Sequence, residues 1–326
     1  MKEVRWGIVG PGDIANKFVQ AVKNVEGAVV SAVASRSMEK GEEFAKKYGI
    51  ENVFCGYENM AKSDVIDAVY ICTPHRFHYE WAKVYLENGK HALIEKSMCV
   101  NTEQILDLQK CAKEKGLFLM EAMWTRFLPA LHEIREIIDR GDIGEVKAIE
   151  ADFCFGIPTE VNPKLFDVNL AGGATLDVGV YSLTFASMFL GDEHEKIYAV
   201  ADVKDEVDLH TVILIKYKNG AIANISGGIG VNKPKGAYIY GTKGQIYVPV
   251  FFAAYEYDIT IGDETKHVRK PPIAGGFEEE IIEATNCIRN GKTESDIMPV
   301  EQSIRICRQM DEVRRQIGIR YAFAGE

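Results

Sequence analysis

The hydrophobic pattern of the chain changes character partway along. Before Glu121, short runs that are apolar throughout alternate with longer segments whose apolar residues recur at helical spacing. The runs Val4 to Val9, Ala28 to Ala34, Val53-Phe54, Ala68 to Cys72, His91 to Ile94 and Leu117 to Met120 predict strands. Helices are predicted from Ile14 to Val22, in the charged stretch ending at Tyr48, from His78 to Asn88, and from Ile105 to Lys115. Ala61 to Asp67 reads as a linker or half-turn. Strands apolar on both faces and separated by amphipathic helices imply a parallel sheet covered on both sides, a doubly wound α/β fold.

Near Trp124 the pattern shifts. A helix from Leu131 to Arg140 leads into a long alternating strand, Val146 to Phe155, and a loop with Pro158 and Pro163 follows. Gly172-Gly173 then opens a helix that runs to Phe189. From Ile197 to Val268, strand-like runs are separated by turn signals at Lys218-Asn219-Gly220, Lys233-Pro234 and Gly241 to Gly244, which predicts a largely antiparallel open sheet. Two helices close the chain, Phe277 to Asn290 and Val300 to Gln316. At 326 residues the chain exceeds what a single core usually organises, so two domains are expected: 1–121, a Rossmann domain, and 122–326, an α+β domain.

Composition narrows the classes. A hydrophobic fraction of 47% with 26% charged residues is that of an ordinary globular protein, so packed domains rather than disorder are expected. The formal net charge of −10 argues against a nucleic acid or an anionic membrane as partner, while leaving room for a small basic site for one phosphate. No apolar run approaches the roughly 18 residues of a transmembrane helix, and the start of the chain lacks a signal-peptide pattern. Seven scattered cysteines with no C-x-x-C pair fit reduced thiols, and a cytoplasmic location is expected.

Three motifs carry chemistry. Gly10-Pro11-Gly12-Asp13-Ile14-Ala15 lies between a predicted strand and a predicted helix. There Gly10 permits the turn, Gly12 lets backbone approach a pyrophosphate, and Ala15 allows the helix to pack closely on the strand. After the second strand the chain reads Ala34-Ser35-Arg36-Ser37, with no carboxylate for a ribose 2′-hydroxyl; a guanidinium and hydroxyls suit a 2′-phosphate, so NADP is expected over NAD. Glu95-Lys96 follows an apolar strand, and a lysine at that end of a doubly wound sheet is a candidate to polarise a substrate oxygen. Further on, Asp177 and Tyr181 stand four apart on one predicted helix face. His75 and His78 are too few for a zinc site and no cysteine or acidic cluster accompanies them, so no metal is expected.

Together these residues resemble the Gfo/Idh/MocA oxidoreductases, named for glucose–fructose oxidoreductase and inositol dehydrogenase. The resemblance spans Gly10 to Ala15, Thr73-Pro74-His75 with His78 and Ala82, Glu95-Lys96, Gly172-Gly173 with Asp177, and Tyr240 to Gly244. Within that family, Glu121 to Pro129 and Tyr181 are most similar to dimeric dihydrodiol dehydrogenases and NADP-dependent D-xylose dehydrogenases. The resemblance implies a catalytic Lys96, an acid/base at Tyr181 and a supporting Asp177. It implies a cofactor lying along Gly10, Gly12, Asp13, Ile14, Ala15, Ser35, Arg36, Thr73, Pro74, His75, His78, Glu95 and Lys96. It also implies a substrate pocket walled by Trp124, Arg126, Phe153 and Phe155, and a homodimer through the C-terminal sheet. Two positions depart from the family pattern: Ser97 stands where proline is usual, and His75 where asparagine is usual.

The chemistry so implied is hydride transfer between NADP and a carbinol or carbonyl carbon of a sugar, polyol or vicinal diol. Tyrosine near pKa 10 is a poor base at neutral pH. A lysine ammonium about 4 Å away, at an effective dielectric of 20, favours the phenolate by up to roughly 4 kcal/mol, and burial opposes it. Two other readings share the fold: a dinucleotide-binding regulator without catalysis, and a biliverdin-reductase-like enzyme.

Overall fold

In the computed structural model, which describes residues 3–326, the chain opens with alternating strands and helices. They are β1 (Val4–Val9), α1 (Asp13–Val22), β2 (Ala28–Ser35), α2 (Met38–Tyr48), β3 (Asn52–Cys55), α3 (Tyr57–Ala61), β4 (Ala68–Ile71), α4 (His78–Glu87), β5 (His91–Glu95), α5 (Thr102–Lys115) and β6 (Leu119–Ala122). The six strands run parallel in the order β3-β2-β1-β4-β5-β6. The order reverses beside β1, and in such sheets ligands bind at the carboxyl ends of the strands at that point. Apart from Arg5, which pairs with Asp67 at 2.8 Å, Val4 to Val9 is apolar because both faces of β1 are covered: Trp6, Ile8 and Val9 have no exposed surface. The linker read from Ala61 to Asp67 is turn and irregular chain after its first residue, but the reading missed α3 just before it, whose Tyr57 and Met60 are buried. A one-and-a-half-turn helix is too short to leave a periodic signature.

The rest of the chain forms α6 (Pro129–Asp139), β7 (Val146–Cys154), α7 (Val180–Leu190), β8 (His194–Lys204), β9 (Val207–Tyr217), β10 (Ile222–Gly228), β11 (Ala237–Gly241), β12 (Gly244–Val248), β13 (Glu256–Ile261), β14 (Glu264–Arg269), α8 (Phe277–Arg289) and α9 (Val300–Ile317). β7 to β14 make an eight-stranded sheet in the order β14-β13-β12-β11-β7-β10-β9-β8. Each neighbouring pair is antiparallel except β7 with β10, which is parallel. α7 covers one face at β7 and β10. The helical run Val168–Leu190 is long and apolar enough to cross a membrane, yet 89% of its most apolar 18-residue window is buried inside the protein, which makes it a core helix.

The chain divides into two compact units, one reaching to Trp124 and joined by Ile273–Ile304, the other formed by Thr125–Pro272 with Arg305–Glu326. The segment Ile273–Ile304 was expected in the second domain and belongs to the first. Its helix α8 buries Ile281, Ala284 and Cys287 and packs on α1 and β1. Sequence neighbourhood cannot reveal such a return of the chain, because an amphipathic helix states that it has a buried face but not which sheet covers it.

Candidate active site

In the first unit, the glycine motif forms the turn from β1 into α1. Gly10 has φ +92°, and a side chain there would also meet the Thr73 methyl at 3.3 Å, so glycine is required twice over. Its N–H donates to Ala34 O at 3.1 Å, and the Gly12 N–H donates to Gly10 O at 2.9 Å, closing the turn around Pro11. Gly12 is exposed and a Cβ there would meet nothing within 4 Å, so glycine is not demanded by the protein's own packing. An open approach to backbone is what a pyrophosphate needs. Asp13, Ile14 and Ala15 begin α1, which carries no side-chain cap at its N-terminus. Ala15 is buried against the sheet.

The end of β2 carries the expected NADP determinants in unequal environments. Ser35 is buried, and its Oγ accepts the Ser37 N–H at 3.3 Å. Ser37 in turn caps α2, accepting the Lys40 N–H at 3.4 Å. Arg36 is exposed, and its guanidinium sits by the Tyr57 phenol, offsetting part of the rise that burial imposes on that group.

Beside these, Thr73-Pro74 leads into a single turn, His75–Phe77. The Thr73 hydroxyl is buried and has no hydrogen-bond partner. A buried orphan hydroxyl next to an uncapped helix N-terminus and an open glycine fits a dinucleotide that supplies the missing partner. His78 is 1% exposed, with Nδ1 2.9 Å from Ser97 O and Nε2 2.7 Å from Thr73 O. Burial pushes its pKa down to about 3, so the ring is neutral and donates from one nitrogen at a time. His78 therefore ties the Thr73 loop to the Lys96 loop, and both its ring nitrogens are directed at backbone. The His75 ring stands edge-on to it at 5.6 Å.

Glu95 ends β5 in a buried position, where it accepts the Tyr70 hydroxyl. Burial pushes its pKa up to about 7, against the pull of Tyr70 and the neighbouring Lys96. Lys96 follows, half-buried, and the Lys96–Ser97 peptide is cis. Glu121, on β6, accepts the Met98 N–H at 2.9 Å and so holds the segment after Lys96. The sequence reading missed Glu280 of α8, 1% exposed, whose carboxyl is raised well above its ordinary pKa by burial and by Glu95 and Glu121. Both of its carboxyl oxygens lack a hydrogen-bond partner. Trp124 stacks on Phe277, with rings 4.6 Å apart and 11° from parallel.

In the second unit, Tyr181 lies in the first turn of α7, 7% exposed. Its ring is 5.4 Å from Phe153 and 5.9 Å from Phe252, and those two stack on each other at 3.9 Å. Phe155 tilts against Phe153 at 6.0 Å, and the Lys235 ammonium lies 6.0 Å from both rings. The structure thus brings Phe153, Phe155 and Tyr181 together and adds Phe252, which the sequence pattern hid inside an ordinary apolar run. Arg126 is half-buried on the turn Trp124–Phe127, and its carbonyl lies 2.8 Å from His132 Nε2. Asp177 sits not in regular α-helix but in a π-turn, Thr175–Gly179, that precedes α7. The wider i→i+5 turn alters the α-helical phase assumed for Asp177 and Tyr181.

The glycines before this helix have a packing reason. A Cβ on Gly172 would lie 2.5 Å from Leu165 O, and one on Gly173, at φ +120°, would lie 2.2 Å from Asp208 Oδ1.

Comparison with known proteins places these features in a family. Residues 4–123 match the model of an oxidoreductase family with an NAD-binding Rossmann fold, and residues 131–247 match the Gfo/Idh/MocA C-terminal domain. The trans-1,2-dihydrobenzene-1,2-diol dehydrogenase of Mus musculus is 33% identical over 98% of this chain and 98% of its own. The enzyme of that name from Xenopus laevis is 35% identical, over 97% of this chain and 99% of its own. A 3-ketoreductase from Actinomadura kijaniata, solved in complex with NADP and TDP-benzene, superposes with a TM-score of 0.89 at 27% identity, covering 97% of this chain and 98% of its own. With the glycine turn, the strand order of its first sheet and the open second sheet, the chain belongs to the Gfo/Idh/MocA family of nicotinamide-dependent oxidoreductases.

Proposed function

We propose that this enzyme uses NADP to interconvert a carbinol and a carbonyl on a sugar, polyol or vicinal diol, with Lys96 and Tyr181 as its catalytic pair. The observation that carries the reading is the setting of Tyr181: a phenol 7% exposed, flanked by the stacked rings of Phe153 and Phe252. Such a wall keeps water from a proton-transfer group and offers a flat apolar surface to a ring-shaped substrate. The names of the relatives, diol dehydrogenases and a ketoreductase, support the substrate class.

The residues divide the work. When bound, the nicotinamide would accept or deliver the hydride. The turn at Gly10 and Gly12 and the N-terminus of α1 would hold the pyrophosphate, and the Thr73 hydroxyl would gain its missing partner. Arg36 would meet the 2′-phosphate. Tyr181 would take the proton of the substrate hydroxyl in oxidation and return it in reduction, while the Lys96 ammonium would bind the same oxygen and stabilise the phenolate. Asp177 would support Tyr181 from the preceding turn.

Two further parts of the proposal concern assembly and compartment. Tyr198, Val200, Leu214 and Ile222 are exposed by 56%, 70%, 45% and 43%, and the strand register puts them on one face of the second sheet. That face would be covered by a second copy, giving by light scattering a mass near twice 36.4 kDa. The seven cysteines are all free, in keeping with a reducing compartment such as the cytoplasm.

The decisive experiment is turnover of Tyr181→Phe with NADP⁺ and either trans-1,2-dihydrobenzene-1,2-diol or D-xylose. Loss of an acid/base group is expected to lower kcat about 10²–10⁴-fold, with NADPH affinity unchanged. Wild-type turnover in this variant would end the proposal.

A further inference from the structure

The π-turn that carries Asp177 is anchored by a residue outside every motif described so far. Asp208, on β9, is 1% exposed. A single oxygen, Oδ2, accepts three hydrogen bonds: from the Thr175 N–H at 2.7 Å, the Thr175 hydroxyl at 2.6 Å and the Thr211 hydroxyl at 2.7 Å. Three donors converging on Oδ2 leave no room for a proton on that oxygen and stabilise the charged form against the desolvation that burial imposes. The other oxygen is as tightly placed, since it lies where a Cβ on Gly173 would fall, 2.2 Å away.

What this carboxylate holds is the first turn of the helix that carries Tyr181. Thr175 opens the π-turn Thr175–Gly179, and its N–H is one of those that no intrahelical carbonyl can satisfy. Two more anchors follow within the same segment. The Gly179 backbone lies so close to β10 that a Cβ on Gly227 would sit 2.8 Å from its Cα. The Ser182 hydroxyl donates to Ser226 O at 2.9 Å. Asp177 and Tyr181 thus lie on a segment fixed at its start by Asp208 and at its middle by β10. Without the first anchor the turn is free to wind differently, and the phase of both side chains changes with it.

We propose that Asp208 is a positioning residue for proton transfer, setting through Thr175 the rotation of the turn that presents Asp177 and Tyr181. This rests on the assignment of Tyr181 made above. Asp208 itself touches neither substrate nor cofactor; it acts through the Thr175 backbone and hydroxyl. A misplacement of about 1 Å at a reacting group can cost on the order of 10²-fold in rate, so the effect falls on kcat. Dinucleotide affinity, a property of the glycine turn and its neighbours, stays as it is.

The test compares Asp208→Asn, Thr175→Val and Thr175→Ser with wild type and with Tyr181→Phe, in the full-length enzyme. Turnover is assayed with NADP⁺ and trans-1,2-dihydrobenzene-1,2-diol or D-xylose, NADPH binding by fluorescence, and amide hydrogen exchange over residues 175–181. Asp208→Asn and Thr175→Val are expected to lower kcat about 10- to 100-fold and to speed exchange across 175–181, with the NADPH dissociation constant unchanged. Thr175→Ser, which keeps the hydroxyl, is expected to retain wild-type kcat and exchange. Should Asp208→Asn fail to fold, Thr175→Val removes one donor while leaving the carboxylate in place and carries the same test. A slow Tyr181→Phe enzyme beside an Asp208→Asn enzyme of wild-type kcat would overturn the positioning role. Unchanged exchange at 175–181 would overturn it as well, even with neither substrate turned over. A fast Tyr181→Phe enzyme would instead remove the catalytic assignment, leaving exchange alone to decide whether Asp208 anchors the turn.

Discussion

Glu280 in the first unit and Asp208 in the second are both 1% exposed, and the protein accommodates them in opposite ways. Burial raises the pKa of each. Around Asp208 the hydroxyls of Thr175 and Thr211 and the Thr175 N–H oppose the rise by binding the charged form. Among the described residues no donor bonds either oxygen of Glu280, and Glu95 and Glu121 add to the rise. Tyr70 also faces the group from β4, but its hydroxyl is given to Glu95. Hydrogen bonds to a buried carboxyl favour its anion and their absence favours its neutral form, and these two sites show one case of each. The first solution fixes geometry, because charge-assisted bonds are directional. The second makes stability depend on pH.

The largest expected effect tests the anchored acid. Gly173→Ala would force a Cβ against Asp208 Oδ1 at a backbone conformation that only glycine adopts with ease. The loss in unfolding free energy is expected to be at least about 3 kcal/mol, read by urea denaturation. A loss below about 1 kcal/mol would mean that the Asp208 site has slack, and the contrast with Glu280 would weaken.

Glu280→Gln tests the protonated acid. The folded state keeps the Glu280 proton at pH values well above 4.5, where the unfolded chain has released it. The unfolded chain then binds fewer protons, so stability falls as pH rises from 4.5 toward the folded-state value. Glu95 adds its own loss over the window from 4.5 to about 7. Gln needs no proton, so the variant is expected to lose one proton's share of the slope, about 1.4 kcal/mol per pH unit, and to gain stability over wild type at pH 8. Urea unfolding at pH 5, 6.5 and 8 measures both. Parallel curves for wild type and variant would show that Glu280 is ionised after all.

The smallest effect belongs to a charge that works in water. Arg36 is exposed at the end of β2, so its contribution to cofactor choice is screened. NADPH is expected to bind at least about tenfold tighter than NADH, a difference near 1.4 kcal/mol, and Arg36→Ala is expected to erase most of it. Equal dissociation constants for the two nucleotides in wild type, by fluorescence titration, would remove Arg36 from the site.

The sequence by itself determined the parallel sheet, the glycine turn and the antiparallel character of the second half. Each of these is written in local periodicity or in a residue type whose backbone freedom the turn requires. It also put Asp177 and Tyr181 after two glycines, which allow the close approach of a ligand or another backbone. It did not say what approaches. That partner is Asp208, contributed by a strand more than thirty residues away in sequence. Nor did it reveal the π-turn, since an i→i+5 turn leaves no mark in an apolar run. Helix α8 was legible as a helix but not as part of the first unit, and nothing in its sequence singled out Glu280. Only tertiary structure decided these points. Burial, and with it the protonation and reach of a carboxyl, depends on what the rest of the chain places around it, and a local pattern carries no record of that.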